Sequence, residues 1–97
     1  MSPEQLIQKI IAEQSLIIGA DLAIARAKST NVIDCTNIDH IKLNKEPRVV
    51  VEKLINAYED VFGQSSVNVC IDVIRSFPYE QIAPFLPSSL KNSISFN

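Results

Sequence analysis

The stretch PRVVVEKLINAYEDVFGQSSVNVCIDVIRSFP, residues 47–78, decides the fold of this 97-residue chain. Its first half has the spacing of a helix that is buried on one side, with apolar residues at Val50, Val51, Leu54, Ala57, Tyr58, Val61 and Phe62. Gly63 stands where helices commonly end. A second helical pattern follows before Pro78 stops it, at Val67, Cys70, Ile71, Val73, Ile74 and Phe77. Because so short a connection makes two helices neighbours, we expect a helical hairpin or corner.

Polar residues ahead of each pattern predict where these two helices begin. Asn44 is the expected N-cap of a helix near residues 46–62, with Pro47 in the first turn, where its missing N–H is harmless. Ser65 or Ser66 is the expected N-cap of a helix near residues 65–77.

The N-terminal region, residues 3–29, is also helical by its spacing and begins with a capping box. Ser2 is the expected N-cap, Pro3 takes the first helical position and Gln5 completes the box. The interior leaves two alternatives open. Either two helices near 3–15 and 16–29 meet at Glu13-Gln14-Ser15, with Ser15 capping the second, or one continuous helix carries a polar residue in its seam.

The N-terminal helices carry more apolar surface than a small monomer easily buries, over a wide arc of Leu6, Ile7, Ile10, Ile11, Leu16, Ile17 and Ile18. Small residues recur every four positions at Gly19, Ala23 and Ala27, and they admit the close approach of another helix. That helix belongs either to the same chain or to a second subunit. The candidate interface positions are Leu6, Ile10, Ile17, Gly19, Ala23 and Ala27.

Residues 29–46 lack a helical period and form a long central loop or a mini-hairpin. Ile33 and Cys35, then Ile41 and Leu43, alternate as strand residues do, with residues 37–40 as the turn. A hairpin this small needs a helical surface to lean on. Connections of this length usually carry a function or are mobile, so the segment is a candidate site.

The last twenty residues form a tail with three prolines and several aromatic residues. Phe85, Leu86 and Leu90 are the candidate docking residues of this tail, either on the core of the same chain or on a partner. A flexible tail is expected after about residue 91.

The amino-acid composition limits the classes of protein to which this chain can belong. With 46% hydrophobic residues and a mean hydropathy of +0.13, residues 1–97 can form one folded domain with a real core. The net charge of −2 and the dispersed Lys and Arg residues argue against nucleic acid as a partner. No apolar stretch approaches the roughly 20 residues that span a bilayer, and no basic region precedes the first apolar residues, so we expect a cytoplasmic protein with reduced cysteines.

No catalytic constellation or metal-binding pattern is found in the sequence. His40 is the one histidine, and with Cys35, Asp34 and Asp39 it matches no familiar zinc or nucleophile spacing, which favours a polar turn. Cys70 falls in an apolar helix face, where a thiol is inert. With two glycines there is no phosphate-binding loop, so we expect no cofactor, no metal ion and no enzymatic activity.

A helix-turn-helix interpretation of residues 47–78 is also disfavoured. That motif requires a small residue four positions before the turn glycine and an apolar residue nine positions after it. Glu59 and Asp72 occupy those two positions.

These patterns together predict an all-α domain of four helices, or of three long helices if the first two are continuous, in a bundle or orthogonal arrangement. The leading functional hypothesis is a non-enzymatic interaction or regulatory module that binds a helical protein or forms a homodimer through its N-terminal helices. The alternative is a small-molecule-binding domain with the 29–46 loop as a lid.

Overall fold

The computed structural model describes residues 2–37, 39–87 and 90. Along the chain it contains α1 (Pro3–Ile18), α2 (Ala20–Ser29), β1 (Ile33–Asn37), β2 (His40–Leu43), α3 (Pro47–Phe62), α4 (Gln64–Arg75) and α5 (Tyr79–Ile82), followed by a 3₁₀ turn at Ala83–Phe85. The protein is therefore mostly helical with a small two-stranded sheet, rather than all-α throughout.

Helix α1 begins as the sequence predicts and ends later than expected. The Gln5 amide N–H donates to Ser2 Oγ at 3.3 Å and the Ser2 N–H donates to Gln5 Oε1 at 3.0 Å, which completes the capping box. The break expected at Ser15 is wrong, because the Ser15 hydroxyl donates to the carbonyl of Ile11 inside the helix. The chain turns instead at Gly19, whose φ of 89° is open to glycine but not to other residues.

Helices α3 and α4 form the expected corner, but neither begins at the expected cap. Glu46 occupies the N-cap position of α3 without a side-chain hydrogen bond, while the Asn44 amide N–H donates to the carbonyl of Val32 at 2.8 Å. Helix α4 follows Gly63 directly, without a serine cap. The positive φ of Gly63, 61°, turns the chain in a single residue, so no longer connection is needed.

The two helical corners share one pattern, repeated 44 positions further along the chain. Helices α1 and α3 are both 16 residues long, both start at a proline, and both end at a glycine with positive φ. The buried positions also correspond, with Leu6, Ile7, Ile10, Ile11 and Gln14 in α1 matching Val50, Val51, Leu54, Ile55 and Tyr58 in α3.

Each corner sends one polar side chain across to the second helix of the other. Gln14 Nε2 on α1 donates to the Ser66 carbonyl at 3.0 Å and to Cys70 Sγ at 3.3 Å, both on α4. Tyr58, the matching residue on α3, donates its hydroxyl to the Ala23 carbonyl on α2 at 2.7 Å. The core therefore lies between two interlocked corners, and the end of α1 lies beside the start of α4.

Residues 29–46 form a mini-hairpin, which is one of the two structures that the sequence allows for this segment. Strands β1 and β2 pair antiparallel, with Ile33 opposite Leu43 and Cys35 opposite Ile41. Ile33 and Cys35 are buried and Asp34 between them is exposed, because successive side chains of a strand point to opposite faces. The hairpin packs against α1 and α2, which supply the helical surface it needs.

The segment after α4 folds back on the same chain. Leu86 is fully buried, and Phe85 and Leu90 pack half-buried against the core. Arg48 Nε donates to the Pro84 carbonyl at 2.9 Å, which fastens this segment to the start of α3. The expected flexible tail after about residue 91 lies outside the described residues.

Candidate functional site

The polar residues of the hairpin satisfy one another within the turn. Asn37 Oδ1 accepts the Asp39 amide N–H at 2.8 Å and lies 3.1 Å from His40 Nδ1, while Cys35 Sγ donates to the Asn37 carbonyl at 3.3 Å. Among the described residues no three His, Cys, Asp or Glu side chains come together as a metal site would require. The arrangement of these groups is that of a structural turn.

Both cysteines are free and buried, in environments that favour the neutral thiol. Burial raises the pKa of the Cys70 thiol to about 11, although the hydrogen bond from Gln14 opposes this shift. Burial also raises the pKa of Cys35, against the opposing positive charge of Lys28. Because the thiolate is the nucleophile, neither cysteine has the environment of a reactive thiol.

The structure separates the six candidate interface residues into two groups. Leu6, Ile10, Ala23 and Ala27 are fully buried within the chain's own core, so a second subunit cannot reach them in this fold. Ile17 and Gly19 remain on the surface, with 43% of Ile17 exposed.

The small-residue groove is occupied by the same chain. Ala23 and Ala27 pack in the core beneath α3 and β1. At Gly19 an added Cβ would meet nothing within 4 Å, so this glycine serves the backbone turn rather than a close helix contact.

The sequence does not single out Leu16, whose exposure only the structure reveals. It was one of seven apolar residues in the α1 arc, and nothing in the sequence separated it from its neighbours. In the structure 82% of Leu16 is exposed, the largest fraction among the exposed large apolar residues of the described chain. The equivalent position in the second corner, 44 residues on, is Asp60.

Leu16 belongs to an outward stripe of α1, together with Gln5, Lys9 and Ala12. Their spacing of four, three and four residues keeps them on one side of a helix with 3.6 residues per turn. The stripe faces away from the core residues, because Gln5, Lys9 and Leu16 are exposed and Ala12 is half-buried.

Two depressions adjoin this stripe. The α1–α4 groove, of about 460 Å³, is lined by Lys9, Glu13, Leu16, Ile17, Val69, Asp72, Val73 and Ser76. The second depression, of about 310 Å³, lies between α1 and the tip of the hairpin and is lined by Gln5, Gln8, Lys9, Ala12 and Asp39. These two hollows share Lys9, and the stripe's own Gln5, Lys9 and Ala12 form most of the lining of the second hollow.

The outer face of α1 carries both signs of charge. Lys9 Nζ lies 3.4 Å from Glu13 Oε1, one turn further along α1, and both side chains are partly exposed. A surface pair of this kind contributes little to stability.

A third depression, of about 480 Å³, lies where α2 meets the hairpin. Its lining is mostly polar, consisting of Lys28, Asn31, Ile33, Asp34, Cys35, Thr36 and Asn44. Ile33 and Cys35, which line this depression, also belong to the hydrophobic core, so the hairpin is held against the helices.

Comparisons with protein families, curated proteins and solved structures find no match to this chain. No helix in the described part of the chain has the length and apolarity of a bilayer-spanning segment.

Proposed function

We propose that this protein is a non-enzymatic interaction module that self-associates through the outer face of α1. The observation that carries the proposal is Leu16, a large apolar side chain that is 82% exposed on the outer face of α1, at the edge of the α1–α4 groove. In this proposal the four long helices form a scaffold that presents the outer face of α1.

The fold itself does not require an apolar residue at this position. The second corner has the same helix length, the same terminal proline and glycine and the same buried positions, yet it places Asp60 where the first places Leu16. Leu16 is followed by Ile17, which is 43% exposed, and contiguous exposed apolar residues are what mark an interaction surface, so this pair supports the proposal.

The energy available from this contact is appreciable. Complete burial of a leucine contributes about 1.5–3 kcal/mol, so covering the 82% of Leu16 that is exposed contributes about 1.2–2.5 kcal/mol. A symmetric dimer makes the contact twice and gains about twice that amount.

The chemistry of the site favours an interaction module over an enzyme. The buried thiols favour the neutral form, and His40 takes part in the hairpin turn. Two free cysteines suit a reducing, cytoplasmic setting. Dispersed positive charge makes nucleic acid a poor ligand.

The test is the molar mass by light scattering under reducing conditions, over about a hundredfold range of concentration, for the wild type, Leu16→Asp and Val49→Asp. Val49 is the matched control, because it is a 37% exposed apolar residue on α3 that does not line either hollow. We expect a concentration-dependent dimer whose dissociation constant rises at least about fiftyfold in Leu16→Asp, since about 2.5 kcal/mol is lost. Val49→Asp should leave it unchanged. A monomer at every wild-type concentration would refute the proposal.

The mostly polar depression between α2 and the hairpin supports a second candidate, a small-molecule-binding domain. Its polar lining suits a charged or hydroxylated metabolite, with the hairpin as one wall. Thermal shift against a metabolite panel tests it, because a ligand at a hundred times its dissociation constant stabilises the fold by about 2.7 kcal/mol. The shift should disappear in Lys28→Ala, a change at the rim of the depression.

A further inference from the structure

The two helical corners lie together at one end of the molecule. The hydrogen bonds from Gln14 to α4 and from Tyr58 to α2 each join a residue just before one turn glycine to a residue just after the other. Both turns are therefore on the same side of the core. We call this part of the molecule the corner end and define it as residues 14–24 and 58–68, five positions on either side of each glycine.

The exposed apolar side chains of the protein are concentrated at the corner end. Of the six large apolar side chains that are exposed in the described chain, four lie within three residues of a turn glycine. Leu16 and Ile17 belong to the end of α1, while Leu22 on α2 and Phe62 on α3 are 40% and 48% exposed. Leu22 directly precedes the residue whose carbonyl accepts the Tyr58 hydroxyl, and Phe62 lies one helical turn after Tyr58. Both therefore adjoin the same contact between α2 and α3.

The corner end carries negative charge and no positive charge. Its carboxylates are Asp21, Glu59 and Asp60, all exposed, and none of the nine Lys and Arg residues of the chain belongs to it. Arg26, one turn beyond Leu22 on α2, is the nearest cation along the chain, and no ion pair within the described residues involves any of the three carboxylates. The electrostatic complement of this surface therefore has positive charge around its apolar side chains.

We propose that the corner end binds a cationic amphipathic segment of another protein, whose apolar side chains cover Leu22 and Phe62 and whose Lys or Arg side chains lie beside the three carboxylates. The charge decides the occupant. A second copy packed on the same surface about a two-fold axis would set these carboxylates against their own counterparts. Nucleic acid and anionic membrane surfaces are repelled by the same charge. Leu22 and Phe62 belong to α2 and α3, so this partner is independent of the proposed self-association through α1.

The test is binding of the full chain to a fluorescein-labelled peptide of leucine and lysine, with the leucines at helical spacing, followed by fluorescence anisotropy. A peptide with glutamate in place of lysine is the probe of opposite charge. Glu59→Gln/Asp60→Asn removes two carboxylates, and Glu52→Gln, an exposed position on the same helix, is its control. Leu22→Gln removes an apolar contact, and Val49→Gln is its control, because Val49 is exposed to a similar extent.

We expect the lysine peptide to bind the wild type and the glutamate peptide not to bind. The dissociation constant of the lysine peptide should rise about fivefold in Glu59→Gln/Asp60→Asn, because two surface charge contacts are lost. It should rise about three- to eightfold in Leu22→Gln, because the apolar contact is lost. Added salt should weaken binding, and the Glu52 and Val49 variants should bind as the wild type does.

Several outcomes would overturn the proposal. Failure of the lysine peptide to bind, or equal binding of the glutamate peptide, would remove the cationic partner. An equal loss in Glu52→Gln would reduce the effect to a general attraction between the peptide and an acidic protein, and unchanged binding in Leu22→Gln would exclude the apolar contact. Loss of wild-type self-association in Glu59→Gln/Asp60→Asn, measured by light scattering, would assign the corner end to a second copy of the chain instead.

Discussion

Substituting alanine for either glycine should destabilise the protein through the backbone alone. Gly19 has φ 89° and ψ 148°, and Gly63 has φ 61° and ψ −142°. Both lie in a region of backbone conformation that is essentially restricted to glycine. An added Cβ would meet no atom within 4 Å at either site, so neighbouring side chains contribute nothing to the cost.

The size of the effect follows from two opposing contributions. Holding another residue in such a conformation costs about 1–3 kcal/mol. Alanine also has less backbone freedom than glycine in the unfolded chain, which stabilises the folded state by about 0.4–1 kcal/mol and offsets part of this cost. Central values leave a net loss of about 1.3 kcal/mol at each site, or about 5–10 °C in melting temperature for a domain of this size.

Urea unfolding of Gly19→Ala and Gly63→Ala measures this loss, with Gln64→Ala as the control. Gln64 is exposed beside Gly63, and its side chain makes one surface hydrogen bond, to Asn68, so its loss should cost less than about 0.5 kcal/mol. Two glycine variants as stable as the wild type would show that the corners do not hold these conformations. A small-residue contact at Gly19, as the sequence suggested, would instead show as a loss at Gly19 alone.

Two further predictions concern the buried polar groups between the corners. Tyr58→Phe removes the hydroxyl that donates to the Ala23 carbonyl, and it should lower the free energy of unfolding by about 0.5–1.5 kcal/mol in urea titrations at pH 7 without changing the fold. The pKa of Cys70, raised by burial from 9.0 to about 11, makes stability depend on alkaline pH. The folded state keeps the Cys70 proton when the unfolded state releases it, so this contribution to stability is complete only well below pH 9 and is lost as the pH rises from about 9 to above 11, on the order of 2–3 kcal/mol in all. Burial also raises the pKa of Tyr58, which adds to the loss above pH 10. Unfolding measured from pH 8 to 11 should show a shallower decline in Cys70→Ala than in the wild type, and equal slopes would contradict the shifted pKa.

The repeated corner shows which residues of α1 the core constrains and which it leaves free to differ. In both corners the first helix buries the same five positions, and its polar member reaches the opposite corner. Burial in the core therefore restricts the residue types at these five positions in both α1 and α3. The outward residues are free of that constraint, and there the two helices differ most, with Leu16 in one and Asp60 in the other.

Short-range patterns in the sequence determined most of the secondary structure. The capping box at Ser2, the apolar spacing of α3 and the alternation of Ile33 and Cys35 with Ile41 and Leu43 each depend on residues within a few positions of one another. Periodicity is a local property of the chain, so the sequence alone carries it. The predicted caps at Asn44, Ser15 and Ser65 or Ser66 are wrong, because α3 begins at Pro47 after Glu46, Ser15 lies inside α1, and α4 follows Gly63 directly.

Only the tertiary structure decided which apolar residues of α1 are covered. Seven of them spread over a wide arc, and the sequence does not distinguish the covered side from the open one, so it predicts Leu6 and Ile10 as interface residues although the core buries both and leaves Leu16 exposed. The decision belongs to α4 and the hairpin, which pack on one side of α1 from positions far along the chain. The repeat of the two corners is also difficult to detect in the sequence, because few residues are identical although the buried positions correspond. Burial is set by which distant surfaces meet, and that information is absent from any local pattern.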